Sequence, residues 1–323
     1  MTRPLAITLG DPAGIGTEVT LKALCPDVPT VLIGSLQLLD MPAVRRWTRD
    51  LNIVPASSLD IESMEFSPGQ IAWIDPAPQI TIDPGQETSE PNGKIALASI
   101  LLATDLALRH KVRAIVTAPI SKRSFQLAGA PELDHTRLFG RLTKTEPTMG
   151  FYSEKMIVVL TTIHCPLSQV PSLISEELLE RTIRRTHHWL RSLGCKSPRI
   201  AVAGLNPHAG EEGLMGTEEI MTIRPTILKL QSEFPGLSGP YPADTLFWKA
   251  DRFDCIIAQY HDQGLAPLKM VAFDTAVNTT LGLPFVRTSP DHGTAFDIAY
   301  QDLANPSSMT AAIQLALRMS NGN

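Results

Sequence analysis

Three of the eight histidines stand in comparable places along the chain. His164 follows the apolar stretch MIVVLTT (156–162), His208 follows RIAVAGLNP (199–207), and His261 follows CIIAQY (255–260). A proline or glycine lies close to each. If the apolar stretches are strands, all three imidazoles emerge at the carboxyl ends of strands, the rim where open α/β sheets bind ligands. A single loop histidine is more often hydrogen-bonded to its surroundings than bound to a metal, so none of the three carries weight alone. Three in one topological position describe an open metal site, with three protein ligands and room left for substrate or water. Asp262, next to His261, and Asp244, in PADTLF, supply carboxylates to orient or join the ligands. His110, His187 and His188 lie in helical stretches among charged residues and read as ordinary surface positions.

A metal that polarises an oxygen serves hydride transfer and hydrolysis equally well, so other residues must separate the two. Lys269, Asn278 and Arg287 follow the last metal candidate, and two cations with an amide suit an anionic substrate, a carboxylate or a phosphate. Arg287 closes an apolar run in GLPFVRTSP, where a solvated side chain is not expected. The glycine-rich GDPAGIG (10–16) closes a strand and opens a helix, so it is either a tight turn or a source of backbone N–H groups for an anion. It has neither the G-x-G-x-x-G spacing nor the P-loop lysine. A second short loop, DHGTAFDIA (291–299), combines a carboxylate, His-Gly, a hydroxyl and a further carboxylate before a helix.

The elements that must position these residues alternate. Strands are expected at 5–9, 30–33, 71–74, 114–117, 156–161, 199–203, 255–259 and 284–287. Helices are expected at 95–110, 176–192, 217–231 and 309–319. Strand and helix in alternation argue for a mainly parallel sheet covered by helices, with strands apolar on both faces. A proline-rich loop is expected over 75–93, and an irregular zone at 129–134 marks the expected boundary between two α/β lobes. The 323 residues, 43% of them hydrophobic, are too many for one ordinary core and suit two lobes. The first is expected to comprise 1–130 with about 290–323, and the second 131–289, carrying most metal and substrate residues. Net charge is −5, with no basic stripe, which excludes nucleic acid and anionic membrane as partners. The opening MTRPLAITLGDPAG reaches Gly10 before a leader's apolar core can form, and no segment approaches ~20 apolar residues. The four cysteines, without a C-x-x-C pair, read as buried free thiols in a reducing cytoplasm.

Taken together, GDPAGIGTE (10–18), TAPISK (117–122), HT (135–136), TTIHCPL (161–167), GLNPHAGEEGLMGTEEI (204–220), GPYPADTLF (239–247), YHDQGLAPLK (260–269), VNTTLGLPFVRTS (277–289) and DHGTAFDIA (291–299) resemble the 4-hydroxythreonine-4-phosphate dehydrogenases of pyridoxal phosphate biosynthesis. The blocks follow the family's order over nearly the whole chain.

The resemblance implies two α/β lobes flanking a cleft, as in isocitrate and isopropylmalate dehydrogenases, and a homodimer with its active site near the subunit interface. It implies a divalent metal, zinc above all, held by His164, His208 and His261, one of them from the partner subunit. Substrate contacts carry over to His135, Thr136, Lys269, Asn278 and Arg287. Lys269, Asp244 and Asp262 are the catalytic candidates, with Lys269 or Asp244 as base. NAD, with NADP as the alternative, accepts the hydride without a Rossmann fingerprint, and Asp291, His292, Gly293 and Thr294 are the expected cofactor loop. The expected reaction oxidises the 3-hydroxyl of 4-phosphohydroxy-L-threonine and then releases CO2 to give 3-amino-2-oxopropyl phosphate. Two stretches depart from the family's usual pattern. Asp134-His135-Thr136-Arg137 stands where Gly-His-Thr-Glu is usual, and Tyr300-Gln301-Asp302 where Gly-Lys-Gly or Gly-Arg-Gly is usual. These bear on the substrate. The alternatives are a four-carbon sugar acid phosphate, such as D-threonate or D-erythronate 4-phosphate, or a carboxylated cis-dihydrodiol. A metal-dependent hydrolase is the reading from another reaction class.

Overall fold

The structure, a computed structural model, describes residues 3–58, 60–62, 64, 66 and 70–320. In chain order its strands are β1 (Leu5–Thr8), β2 (Thr30–Ile33), β3 (Asn52–Pro55), β4 (Gln70–Ile74), β5 (Ala114–Thr117), β6 (Thr148–Tyr152), β7 (Ile157–Leu160), β8 (Ile200–Ala203), β9 (Leu237–Tyr241), β10 (Cys255–Ala258), β11 (Val277–Leu281) and β12 (Val286–Pro290). The fold is α/β. The chain divides into two compact units, Met1–Pro147 with Leu283–Asn323, and Thr148–Gly282.

In the first unit the strands lie in the order β3-β4-β2-β1-β5-β12, and every neighbouring pair is parallel. β1, β2 and β5 are buried along their whole length, which only an apolar, β-branched composition tolerates without loss. The Glu90–Leu108 and Ser307–Ser320 helices pack against this sheet. The first of these begins inside the expected 75–93 loop. Ser89 caps it by accepting from the Asn92 N–H, and a proline at its first turn costs no hydrogen bond there. The apolar period that marks a helix in the sequence starts only at Ile95.

The unit boundaries differ from the expected 130 and 290. Residues 131–147 belong to the first unit because Leu138 and Phe139, on the His135–Thr143 helix, are fully buried in its core beside Ile115 and Phe125. β12 likewise pairs with β5, Val286 opposite Ala114. His135, Thr136 and Arg287 therefore sit in the first unit, where the sequence reading placed them in the second.

The second unit orders its strands β11-β6-β7-β10-β8-β9. β7, β10, β8 and β9 are mutually parallel, while β6 runs antiparallel to both β7 and β11. The expected 217–231 helix is two segments: a wide π-turn over Glu219–Ile223, then an α-helix over Arg224–Gln231. Pro225 explains the widening, since it has no N–H to donate and its ring crowds the preceding turn. The cysteines are free, but Cys25 is exposed, Cys165 and Cys195 are half-buried, and only Cys255 is buried. Cys25 stands in the turn after the Gly16–Ala23 helix, its carbonyl accepting from the Val28 N–H, rather than on the apolar face of an element. Among the described residues no helix is long and apolar enough to cross a membrane.

Candidate active site

β7, β10 and β8 are adjacent parallel strands, and the segments that follow their carboxyl ends carry His164, His261 and His208 respectively. Backbone and side-chain hydrogen bonds lace these ends together. The Thr161 N–H donates to the Ala258 carbonyl (2.8 Å), and the Thr162 hydroxyl to the Gln259 carbonyl (2.7 Å). Gln259 Nε2 donates to the Ala203 carbonyl (2.7 Å), and Gln263 Nε2 to the Gly204 carbonyl (2.8 Å). Gln259 is fully buried, so its amide is a fixed strut rather than a surface contact.

On this rim the rings of His164 and His261 lie 5.6 Å apart, centroid to centroid, at 45°. Two imidazoles sharing one ion at about 2.0–2.1 Å per nitrogen have ring centres on the order of 5 Å apart, so this pair fits a common cation. His261 Nδ1 is 2.6 Å from Asp262 Oδ1, which leaves Nε2 as the nitrogen that could coordinate a metal. His208 is exposed, and its Nδ1 is 3.8 Å from Glu211 Oε2. No three His, Cys, Asp or Glu side chains are gathered to hold a metal among the described residues. One chain therefore brings together two of the three expected ligands.

His208 opens a turn of unusual handedness. Residues 208–212 have φ between 42° and 83°, and four of the five are not glycine. Each non-glycine residue in that region costs roughly 1–2 kcal/mol, so the turn persists only where its surroundings hold it. Glu219, fully buried in the neighbouring π-turn, fixes the chain that leads into the left-handed turn. Its Oε1 accepts from the N–H groups of Leu205 (2.7 Å) and Asn206 (2.8 Å), and its Oε2 from Asn206 Nδ2 (2.9 Å). A Cβ at Gly210 would come within 2.7 Å of the same carboxylate.

Lys269 lies two turns along the His261–Ala272 helix, half-buried, with Nζ 5.8 Å from the Phe273 ring centre. Asp244 is exposed in the first turn of the Ala243–Leu246 helix, which packs beside the His208 segment. Asn278 stands on β11 opposite Phe151, half-buried, with its side-chain oxygen enclosed and without a hydrogen-bond partner.

In the first unit a buried cation and an imidazole gather around Phe139. Arg287 is only 2% exposed; its Nη2 donates to the Thr117 hydroxyl (2.6 Å) and its guanidinium lies 5.7 Å from the Phe139 ring centre. Burial pushes its pKa down to about 9, opposed by the Asp134 carboxylate. His135 stacks on the other partner of this arrangement, its ring 6.3 Å from Phe139 at 16°. Its Nε2 is buried without a partner, and burial first, then the charge of Arg287, holds it well below the ordinary histidine pKa. It is neutral at pH 7. Thr136 beside it is buried. Asp134 caps the helix by accepting from the Arg137 N–H (2.9 Å), and Arg137 Nε lies 3.7 Å from its other oxygen. The two departures at 134 and 137 are thus one paired change, a cap and its counter-ion.

The 291–294 loop rests on 10–16, the Ile15 N–H donating to the Thr294 carbonyl (2.9 Å). A Cβ at Gly14 would stand 2.9 Å from that carbonyl oxygen, which is why glycine is needed there. The Asp291 N–H reaches the Ser308 hydroxyl (3.2 Å). His292 keeps its Nε2 buried with no partner, a polar atom a bound dinucleotide would satisfy, and Gly293 faces open space. Tyr300 and Asp302 both adopt left-handed backbone (φ 63° and 69°). Tyr300 is held by its hydroxyl to the Pro12 carbonyl and by a stacked Trp47, and Asp302 by Lys22 (2.7 Å) and Trp47 Nε1 (3.0 Å).

Glu219, Gln259, Gln263 and Phe139 were not singled out from the sequence. For Glu219 the available signal was three glycines, 210, 213 and 216, closing on a carboxylate within a single block.

The family described as pyridoxal phosphate biosynthetic protein PdxA matches residues 27–316. The chain is 41% identical to a 4-hydroxythreonine-4-phosphate dehydrogenase of Methylorubrum populi, over 98% of this chain and 94% of the relative. It is 39% identical to a D-threonate 4-phosphate dehydrogenase of Salmonella typhimurium, over 98% and 99%. A crystal structure of 4-hydroxythreonine-4-phosphate dehydrogenase from Klebsiella pneumoniae superposes with a TM-score of 0.85 at 38% identity, covering 99% of this chain and 100% of that one. Isocitrate dehydrogenase from Methylococcus capsulatus, with a TM-score of 0.51 at 14% identity over 98% and 85%, shares the fold alone.

Proposed function

The chain belongs to the pyridoxal phosphate biosynthetic protein PdxA family, and from that premise we propose that it is a dehydrogenase of a phosphorylated hydroxy acid, 4-phosphohydroxy-L-threonine, with NAD as hydride acceptor and a divalent cation, zinc by its ligand set, at the histidine rim. The observation that carries this reading is the His164–His261 pair, 5.6 Å apart beyond adjacent parallel strands.

His164 and His261 of one protomer hold the cation, and His208 of a second copy completes the set in a homodimer. Exposed apolar side chains on the same loops, Leu167 at 66% and Leu214 at 81%, support burial of this face against another subunit. The cation, when bound, polarises the substrate's hydroxyl and lowers its pKa, and NAD takes the hydride. Arg287, neutral His135 and Thr136 bind the phosphate, and Asn278 orients the substrate. Asp262 is engaged in orienting His261, which leaves Lys269 and Asp244 to accept the hydroxyl proton. His292, with Asp291, Gly293 and Thr294, serves the dinucleotide. Oxidation at C3 places a carbonyl β to the carboxylate, so CO2 departs readily and 3-amino-2-oxopropyl phosphate results.

A second reading keeps this machinery and changes the substrate to D-threonate 4-phosphate. Near-equal identity to relatives named for each substrate, 41% and 39%, favours testing it alongside. NADH formation is measured with each compound, with and without added zinc. We expect metal-dependent turnover of 4-phosphohydroxy-L-threonine. Turnover of the threonate phosphate alone would establish the second reading, and phosphate release without NAD would replace both with a hydrolase.

A further inference from the structure

We propose that Glu219 is the positioning residue for His208, a buried carboxylate whose hydrogen bonds set the direction in which the left-handed 208–212 turn presents the imidazole. The inference rests on the reading of His208 as a metal ligand. A carboxylate that is fully buried must be compensated, and among the described residues no cation does it. Its partners are three N–H donors, and all of them belong to residues 205 and 206, immediately before His208.

The same carboxylate also meets the loop on the far side of the histidine. A Cβ at Gly210 would lie 2.7 Å from Oε2, and one at Gly204 3.1 Å from Oε1. Glycine at 210 is thus required twice over, by its φ of 83° and by the carboxylate against it. Asn206 is fixed in turn. Its Nδ2 bridges Glu219 and Glu218 Oε2 (2.7 Å), and it is seated so closely on Gly216 that a Cβ there would stand 2.3 Å away. Between 205 and 216 only Ala209 and Gly210 are buried, so this loop contributes little to the core. A buried carboxylate spent entirely on such a loop acts on what the loop carries. The π-turn that begins at Glu219 is what sets the side chain beneath the loop, since a widened turn displaces its first residue from the regular helical path.

The test uses the full-length protein and zinc itself. Glu219→Gln keeps the shape and one carbonyl oxygen but sets an amide N–H against the Asn206 amide. Zinc affinity is measured by chelator competition for wild type, Glu219→Gln, His208→Ala and the double variant. Loss of an orienting partner typically weakens metal binding about 10- to 100-fold. That loss is expected in Glu219→Gln, with no further loss when it is added to His208→Ala. Wild-type affinity in Glu219→Gln, or the same fold-loss with and without His208, would overturn the proposal.

Metal-free protein provides an independent readout. Amide hydrogen exchange over 205–216 should accelerate in Glu219→Gln, and the His208 imidazole resonances should move. If wild type binds no zinc, the metal reading fails by itself, and these two measurements still decide whether Glu219 orients His208; unchanged exchange and unchanged resonances reject it. Should Glu219→Gln not fold, Asn206→Ala, which leaves both backbone donors on Glu219, is expected to show the same pattern at smaller size. Wild-type affinity and exchange in that variant would reject the proposal equally.

Discussion

A guanidinium that is 2% exposed must find its solvation inside the protein, and for Arg287 the groups that supply it include the Thr117 hydroxyl, the face of Phe139 and the charge of Asp134. Burial is not fully offset, which is why its pKa is drawn down from the ordinary arginine range to about 9. A proton held less tightly in the folded than in the unfolded chain lowers stability wherever the residue is charged, and the deficit closes only as pH rises from about 9 towards the ordinary arginine pKa. An anion bound beside Arg287 relieves that deficit at neutral pH. Arg287 therefore carries its charge at neutral pH and gives up its proton more readily than an exposed arginine, so kcat/KM for a phosphorylated substrate should fall as pH rises through about 9, while kcat, which reports the occupied site, should fall later. Arg287→Lys should raise KM about 10- to 100-fold, because an ammonium lacks the planar fork. A flat kcat/KM profile between pH 8 and 10 would mean that Arg287 keeps its charge over that range, and an unchanged KM in Arg287→Lys would remove it from the site. Its position was legible in the sequence as an arginine closing an apolar run. The neutrality of His135 was not, because it follows from burial and from a charge 152 residues away in the chain.

Elements decide how closely those residues can be brought together. The His261–Ala272 helix lies so near β7 and β10 that a Cβ at Gly264 would stand 2.7 Å from Val158 Cγ1, 2.8 Å from Leu160 Cδ2 and 3.0 Å from Ala258 Cβ. Gly264→Ala must push the helix outward, at about 1–3 kcal/mol for an overpacked core. Because His261 is the first residue of that helix, the displacement should weaken zinc binding as well as lower the thermal midpoint. A midpoint loss without any loss of zinc affinity would mean that helix and ligand are not coupled. Strands β1, β2, β5, β7, β8 and β10 were legible because burial on both faces demands an unbroken apolar run. β6, β9 and β11 were not: TMGFY, LSGPY and VNTTL contain glycine, proline or hydroxyls, which interrupt the apolar run. The His135–Thr143 helix shows the same limit. Nothing in its composition announces that Leu138 and Phe139 belong to the core of the preceding 130 residues.

At the scale of the whole molecule the surface is uneven. Of sixteen large apolar side chains exposed among the described residues, eleven lie in Thr148–Gly282, including Leu214 at 81%, Met221 at 72% and Trp248 at 81%. Scattered apolar residues on a surface need no explanation, but this concentration lies in the unit that also holds the three rim histidines. A two-fold dimer formed through that unit would use the same surface twice and build two equivalent sites. If each site takes His164 and His261 from one protomer and His208 from the other, then His164→Ala and His208→Ala are each inactive alone but complement one another. In a mixed dimer one site contains both lesions, and the other contains none. Random reassortment makes about half of the dimers mixed, with one intact site in each, so about a quarter of wild-type activity should return. Co-expression of the two variants with different tags, purification and an NADH assay measures it. If His208 served its own chain instead, every site in the mixture would carry one lesion, and no activity would return at any ratio.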